Sequence, residues 1–151
     1  AGKFNDYSVC TTWYVQGRNY YLLDVHRAQL EYPDLRRAVI NQADKHCADS
    51  ILIEDAGVGM GLIQELKRDG LVKPIGIRPR GDKETRLFTQ CAKLEAGQVL
   101  LPREARWKDD FVTELLAFPN GTHDDQVDSL TQFLEWQGRK RSVARTRQNV
   151  L

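Results

Sequence analysis

The stretch Thr122-His123-Asp124-Asp125-Gln126-Val127-Asp128 gathers three carboxylates and an imidazole at the start of an otherwise amphipathic segment. Asp124 and Asp128 stand four residues apart and Asp125 and Asp128 three apart, spacings that put side chains on one face of a helix. Capping is the competing account, because Thr122 or Asp124 can accept first-turn N–H groups and acids favour the positive end of the helix macrodipole. Capping accounts for one or two acids and leaves Asp128 over. A cation opposite them is the chemistry that the pattern favours.

Glu54 and Asp55 form a second acidic pair, directly after Ile51-Leu52-Ile53. That apolar run reads as a buried central strand covered on both faces. Ligands in open α/β sheets bind at the carboxyl ends of strands, and a carboxylate there is costly unless paired or metal-bound. A solvated Glu-Asp opening a loop is the plain alternative. Two such clusters can bind a pair of hard divalent cations, Mg2+ or Mn2+, through carboxylate oxygen. Two ions roughly 4 Å apart would hold the attacking water and the leaving oxygen of an in-line phosphodiester cleavage.

Lys83 and Arg86 lie one turn apart at an expected helix start, where backbone N–H groups also favour anions. They could grip a DNA phosphate, or form a solvated face with Lys83 paired to Glu84 or Asp82. Gly57-x-Gly59-x-Gly61 lacks the order of a dinucleotide fingerprint and the Walker lysine, and reads as a flexible loop beside the site. Arg139, Lys140 and Arg141 open a basic run that could touch DNA electrostatically or be a solvated, flexible end.

Several elements must position these groups. Tyr7 to Val15 and Tyr20 to His26 read as the strands of a β-hairpin about Gln16-Gly17-Arg18-Asn19. A helix follows from Pro33 to about His46, then the strand ending at Ile53, a helix from Leu62 to Arg68 stopped by Gly70, and a strand from Pro74 to Ile77. Asp82 to Ala96 reads as a helix with Leu87, Phe88, Cys91 and Leu94 inward, and Gln98 to Leu101 as a strand. Trp107 to Phe118 is helical, with Phe111, Leu115 and Phe118 inward. The last helix runs from about Asp124 to Gln137 with Val127, Leu130, Thr131 and Leu134 inward. The order points to an α/β or α+β domain with a mixed sheet.

The chain of 151 residues has the size of one domain, with 41% hydrophobic and 28% charged residues. Its formal charge of +1 hides an asymmetry: the final stretch from Trp136 holds bases and no acid, leaving 17 basic against 21 acidic residues in the first 135. An acidic body binds nucleic acid poorly unless cations mask its carboxylates. Cys10, Cys47 and Cys91 match neither a disulfide framework nor a zinc site and read as small core residues. His46 reads as a plain helix residue rather than a ligand. No apolar run has bilayer length and no leader opens the chain, so a cytoplasmic protein without membrane contact is expected. The opening Ala-Gly-Lys, with Met60 the sole methionine, suggests an excised piece.

In order along the chain, Asp6-Tyr7-Ser8-Val9-Cys10-Thr11-Thr12-Trp13, Tyr21-Leu22-Leu23-Asp24-Val25, Ile53-Glu54-Asp55, Asp82-Lys83 with Arg86, Glu95-Ala96-Gly97-Gln98-Val99 and His123-Asp124-Asp125-Gln126-Val127-Asp128 make up a set of motifs. The set resembles the C-terminal nuclease domain of the large terminase subunit of tailed phages and prophages, over about residues 1 to 137. The resemblance implies an RNase H-like α/β fold, a mixed central sheet flanked by helices on both faces, with residues 138–151 a flexible basic tail. It implies an endonuclease that cuts concatemeric double-stranded DNA during genome packaging in the cytoplasm of a bacterial host cell. Its partners there are the ATPase motor domain, the small terminase subunit and the portal.

Carried over by position, Glu54 matches the acid on the central strand and Asp125 the acid on the last helix, with Asp128, Asp124 and His123 as neighbours and Asp55 in support. Which aspartates hold metal directly stays open. The family's first catalytic aspartate precedes a position matching Ala1, so this chain is expected to bind metal poorly and cut weakly. Two rivals remain: another RNase H-like nuclease, such as a junction resolvase or ribonuclease H, and a non-catalytic module docking a portal or partner protein.

Overall fold

The structure, a computed structural model, describes the backbone of residues 6–148, and side chains as far as residue 141. The hairpin is β1 (Ser8–Gln16) and β2 (Asn19–Ala28), antiparallel. Between Thr12 and Trp13 the register slips, so that Thr12 faces Asp24 while Trp13 faces Leu22, and Leu23 is left as an exposed extra residue. Strict alternation through Tyr20 and Leu22 would have driven Asp24 into the core. The bulge turns Val25 inward instead and sends Asp24 to the opposite face.

Next come α1 (Tyr32–Lys45), β3 (Ile51–Glu54), α2 (Val58–Asp69), β4 (Pro74–Ile77) and α3 (Lys83–Glu95). They are followed by β5 (Val99–Leu100), α4 (Lys108–Ala117) and α5 (Asp125–Gln148). β5 lies parallel to β2, giving the order β1-β2-β5, while β3 and β4 form a parallel pair of their own. Both parallel and antiparallel pairings are therefore present, as expected, but in two sheet pieces. In the described residues β1 has a strand neighbour only at β2, and β3 only at β4.

Helices cover both faces of the hairpin. On one face α5 meets β1: Thr11 Oγ1 lies 2.7 Å from Ser129 Oγ, and the Trp13 ring stacks on Phe133 at 4.5 Å. On the other, His46 at the end of α1 hydrogen-bonds Asp24 at 3.0 Å. The core joins Tyr20, Leu22 and Val25 of β2 to Phe111 of α4 and to Leu130, Phe133 and Leu134 of α5. Burying these side chains contributes roughly 1.5–3 kcal/mol each, so this cluster fixes α5 on the sheet.

Five expectations need correction. Ile51, Leu52 and Ile53 are only half-buried and Glu54 is exposed, because among the described residues β3 is an edge strand with one strand neighbour. Phe88 points outward, 79% exposed, although its spacing suited the inner face of α3. Cys47 is exposed in the left-handed turn that ends α1, not a core residue. Gly59 and Gly61 lie inside α2 and not in a flexible loop. The last helix does not stop at Gln137 but continues to Gln148, carrying Arg139, Lys140 and Arg141 on a regular backbone.

Candidate metal and phosphate site

α5 begins where Pro119-Asn120-Gly121 has broken α4, and its first turn is held by an acid from α4. The Glu114 carboxylate is buried; one oxygen accepts from Val127 N at 2.9 Å and the other from Gln126 Nε2 at 3.0 Å. A buried carboxylate at a helix N-terminus meets both the open N–H groups and the positive end of the dipole. Thr122 and Asp124, the capping candidates in the sequence, are thus joined by Glu114, to which no local spacing points. Asp128 N donates to the main-chain oxygen of Asp124, at 2.9 Å.

Three acids thus stand at the start of α5, and they differ in surroundings. Asp125 is half-buried, and its carboxyl is pushed up from the usual carboxylate range by burial first, then by Asp124 and Glu114, with Lys83 partly offsetting. Asp124 and Asp128 share a cation. Lys83 Nζ lies 2.8 Å from Asp124 Oδ2 and 2.8 Å from Asp128 Oδ2. Burial would lower the Lys83 ammonium, but its bonds to the two aspartates raise it above the ordinary lysine value. Neither Glu84 nor Asp82 is the partner; Asp82 caps α3 by accepting from Thr85 N at 2.8 Å.

Arg86 is turned inward. It donates to Gly81 O at 2.7 Å and to Asp128 Oδ1 at 3.3 Å, with its side chain 11% exposed and its Nε buried without a partner. Both expected phosphate-binding cations therefore face carboxylates in this structure.

Glu54 reaches the same helix from the strand side. Its Oε2 accepts from Gln132 Nε2 at 3.0 Å. Gln132 lies one turn beyond Asp128 and two beyond Asp125, so the contact brings Glu54 to the face that carries both aspartates. At 1.5 Å rise per residue, Asp128 and Gln132 are about 6 Å apart along the axis. Asp55 instead pairs with Arg78 at 3.0 Å. Gly59 sets the height of the strand end. A Cβ there would come within 3.0 Å of the Glu54 carbonyl oxygen and within 3.1 Å of its carbon. Gly59 is therefore a packing residue and not a loop hinge, and the sequence signal for it is a glycine at the second position of a helix following a strand.

His123 is exposed and meets the edge of the Tyr7 ring, 5.1 Å between centroids, while the Arg27 guanidinium lies 3.8 Å over that ring. Arg139, Lys140 and Arg141 are elsewhere. They pair with Glu135, cover the Trp136 ring and approach the Tyr20 ring respectively. By helical rise they sit about 20 Å along α5 from Asp125.

Among the described residues no group of three or more His, Cys, Asp or Glu side chains is arranged to hold a metal ion. A magnesium site asks for less, since Mg2+ keeps several waters and is commonly bound by one or two carboxylates. Asp124 and Asp128 meet that requirement: their oxygens are hard donors and already converge on one cationic group.

Comparison with known proteins follows the same lines. The family described as terminase RNaseH-like domain matches residues 1–136. The large terminase nuclease from thermophilic phage G20c with bound zinc is similar in structure, with TM-score 0.60 and 19% identity over 84% of this chain and 80% of that one. The same nuclease with bound cobalt gives TM-score 0.61 and 17% identity over 86% and 81%. No curated protein matches by sequence. Among the described residues no helix is long and apolar enough to cross a membrane.

Proposed function

The chain belongs to the terminase RNaseH-like domain family, and from that premise we propose that it is the endonuclease domain of a phage DNA-packaging enzyme, cutting concatemeric double-stranded DNA. The observation that carries this reading is the contact between Glu54 and Gln132, which brings the acidic strand end to the face of α5 bearing Asp125 and Asp128. Related nuclease structures hold zinc and cobalt, which supports a site for divalent ions here. Mg2+ or Mn2+ suits the all-carboxylate donor set.

When bound, a pair of such ions activates water and stabilises the charge that develops on the phosphate. Asp125 and Asp128 on α5 and Asp124 just before it, with Glu54 opposite, are the groups to hold them. Glu114 fixes the first turn of α5 and so the direction of the three aspartates. Gly59 lets α2 pack against the Glu54 carbonyl, and Gln132 orients the Glu54 carboxylate. The Arg27, Tyr7 and His123 cluster borders the start of α5 on the hairpin side. Arg139, Lys140 and Arg141 extend basic charge along α5 for more distant DNA contact. The motor domain, small subunit and portal are the partners of the whole packaging machine.

The family resemblance implies one further acid, ahead of the position of Ala1. The test is cleavage of linear duplex, four-way junction and RNA–DNA hybrid with Mn2+, by this chain and by a longer one that restores the acid. Duplex cutting should be faster in the longer chain and abolished by Glu54→Ala or Asp125→Ala in a folded protein. Equal rates for the two chains refute a role for that acid, and preference for junction or hybrid refutes the packaging substrate.

A further inference from the structure

The turn after β4 and the first turn of α3 supply cations to the acidic face: Arg78 to Asp55, Lys83 to Asp124 and Asp128, and Arg86 to Asp128. These cations are not equivalent. Arg86 is 11% exposed and tied to Gly81 O, and it takes Asp128 through Oδ1. Lys83 bridges Asp124 and Asp128 through the oxygens that Arg86 leaves open, with its side chain 45% exposed. Its ammonium sits on a flexible stem beside solvent and can swing away without unpacking α3. Arg86 cannot leave so easily. The point between the two carboxylates is thus filled by the one cation able to vacate it.

We propose that Lys83 is an internal counter-ion which competes with a divalent cation for Asp124 and Asp128 and so sets the affinity of the site. The inference rests on the metal-site reading above. Without a cation, the three carboxylates at the start of α5 repel one another, and the ammonium between two of them relieves that repulsion. A divalent ion must break both Lys83 contacts before it can use the same oxygens. Two partly exposed ion pairs of this kind hold back cation binding by about three- to thirtyfold. Release of Lys83 also frees a positive group at the rim for a substrate phosphate.

The experiment is calorimetric titration of Mg2+ and Mn2+ into the whole 151-residue chain and into Lys83→Met, Lys83→Arg and Asp124→Asn/Asp128→Asn, with thermal denaturation of each with and without cation. Lys83→Met keeps the stem and removes the charge. It should bind cation about three- to thirtyfold more tightly, melt lower without cation, and gain more in Tm on cation addition. Lys83→Arg keeps a bridging cation and should stay near the parent affinity. Aspartate-dependent binding that Lys83→Met leaves unchanged or weakens overturns the inference and spares the metal-site reading. Binding that survives Asp124→Asn/Asp128→Asn, or absence of binding in every variant, overturns both.

Discussion

Alanine at Gly59 and alanine at Gly61 are the same chemical change two residues apart in α2, and the structure gives them opposite signs. At Gly61 nothing lies within 4 Å of an added Cβ. Replacing a helical glycine there removes backbone freedom from the unfolded chain and should stabilise by about 0.5–1 kcal/mol. At Gly59 the same Cβ comes within 3.0 Å of the Glu54 carbonyl oxygen, within 3.1 Å of its carbon and within 3.4 Å of Ile53 Cγ2. Two of those neighbours are backbone, which cannot rotate aside, so α2 must move off the end of β3. Overpacking of this kind costs about 1–3 kcal/mol, against which the helix-propensity gain is the smaller quantity. At about 2–4 °C per kcal/mol for a domain of this size, Gly61→Ala should raise Tm by about 1–4 °C and Gly59→Ala lower it by a few degrees. Differential scanning calorimetry on the two variants and the parent measures both. Gly59→Ala should also weaken cation binding, because the displaced strand end carries Glu54. Equal signs for the two substitutions would refute the close approach of α2 to β3 and with it the account of how Glu54 is placed.

Glu114→Ala should cost about 2–4 kcal/mol in urea denaturation, since it strands the Val127 N–H and the Gln126 amide without their buried acceptor; a loss below about 0.5 kcal/mol would show that α5 is not held by this carboxylate. Asp24 is governed by burial, which raises it, and by the His46 hydrogen bond and the Lys45 charge, which outweigh burial and hold it below its ordinary value. Its contribution to stability is therefore present above the unfolded-state value and is lost as pH falls through the lower folded value. Asp24→Asn should be less stable than the parent near neutrality, and the gap should close below about pH 4; a gap that stays constant into acid would reject that linkage. Cys10 is pushed up to about 11 by burial and by Asp24, leaving about one thiol in a thousand ionised at pH 8. A thiol reagent at that pH should label exposed Cys47 first and Cys10 last, as read by mass spectrometry, and early labelling of Cys10 would contradict its burial.

Much of the architecture was written in local pattern. Alternating aromatic and β-branched residues around Gly17 dictate the hairpin, and the stripe Val127, Leu130, Thr131 and Leu134 dictates the buried face of α5, because side-chain periodicity is fixed by backbone geometry alone. Spacing also put Asp125 and Asp128 on one face, and the ordered motifs led to the terminase nuclease family. Tertiary packing decided the rest. The bulge that sends Asp24 outward depends on pairing between strands, and Phe88 is exposed because none of the described elements packs over its side of α3. Glu114 caps a helix it does not belong to, Gln132 links α5 to Glu54 across 78 residues, and Lys83 takes two aspartates 41 residues or more away. None of these partners is implied by spacing, since hydrogen bonds and ion pairs between distant segments exist only once the core has brought those segments together.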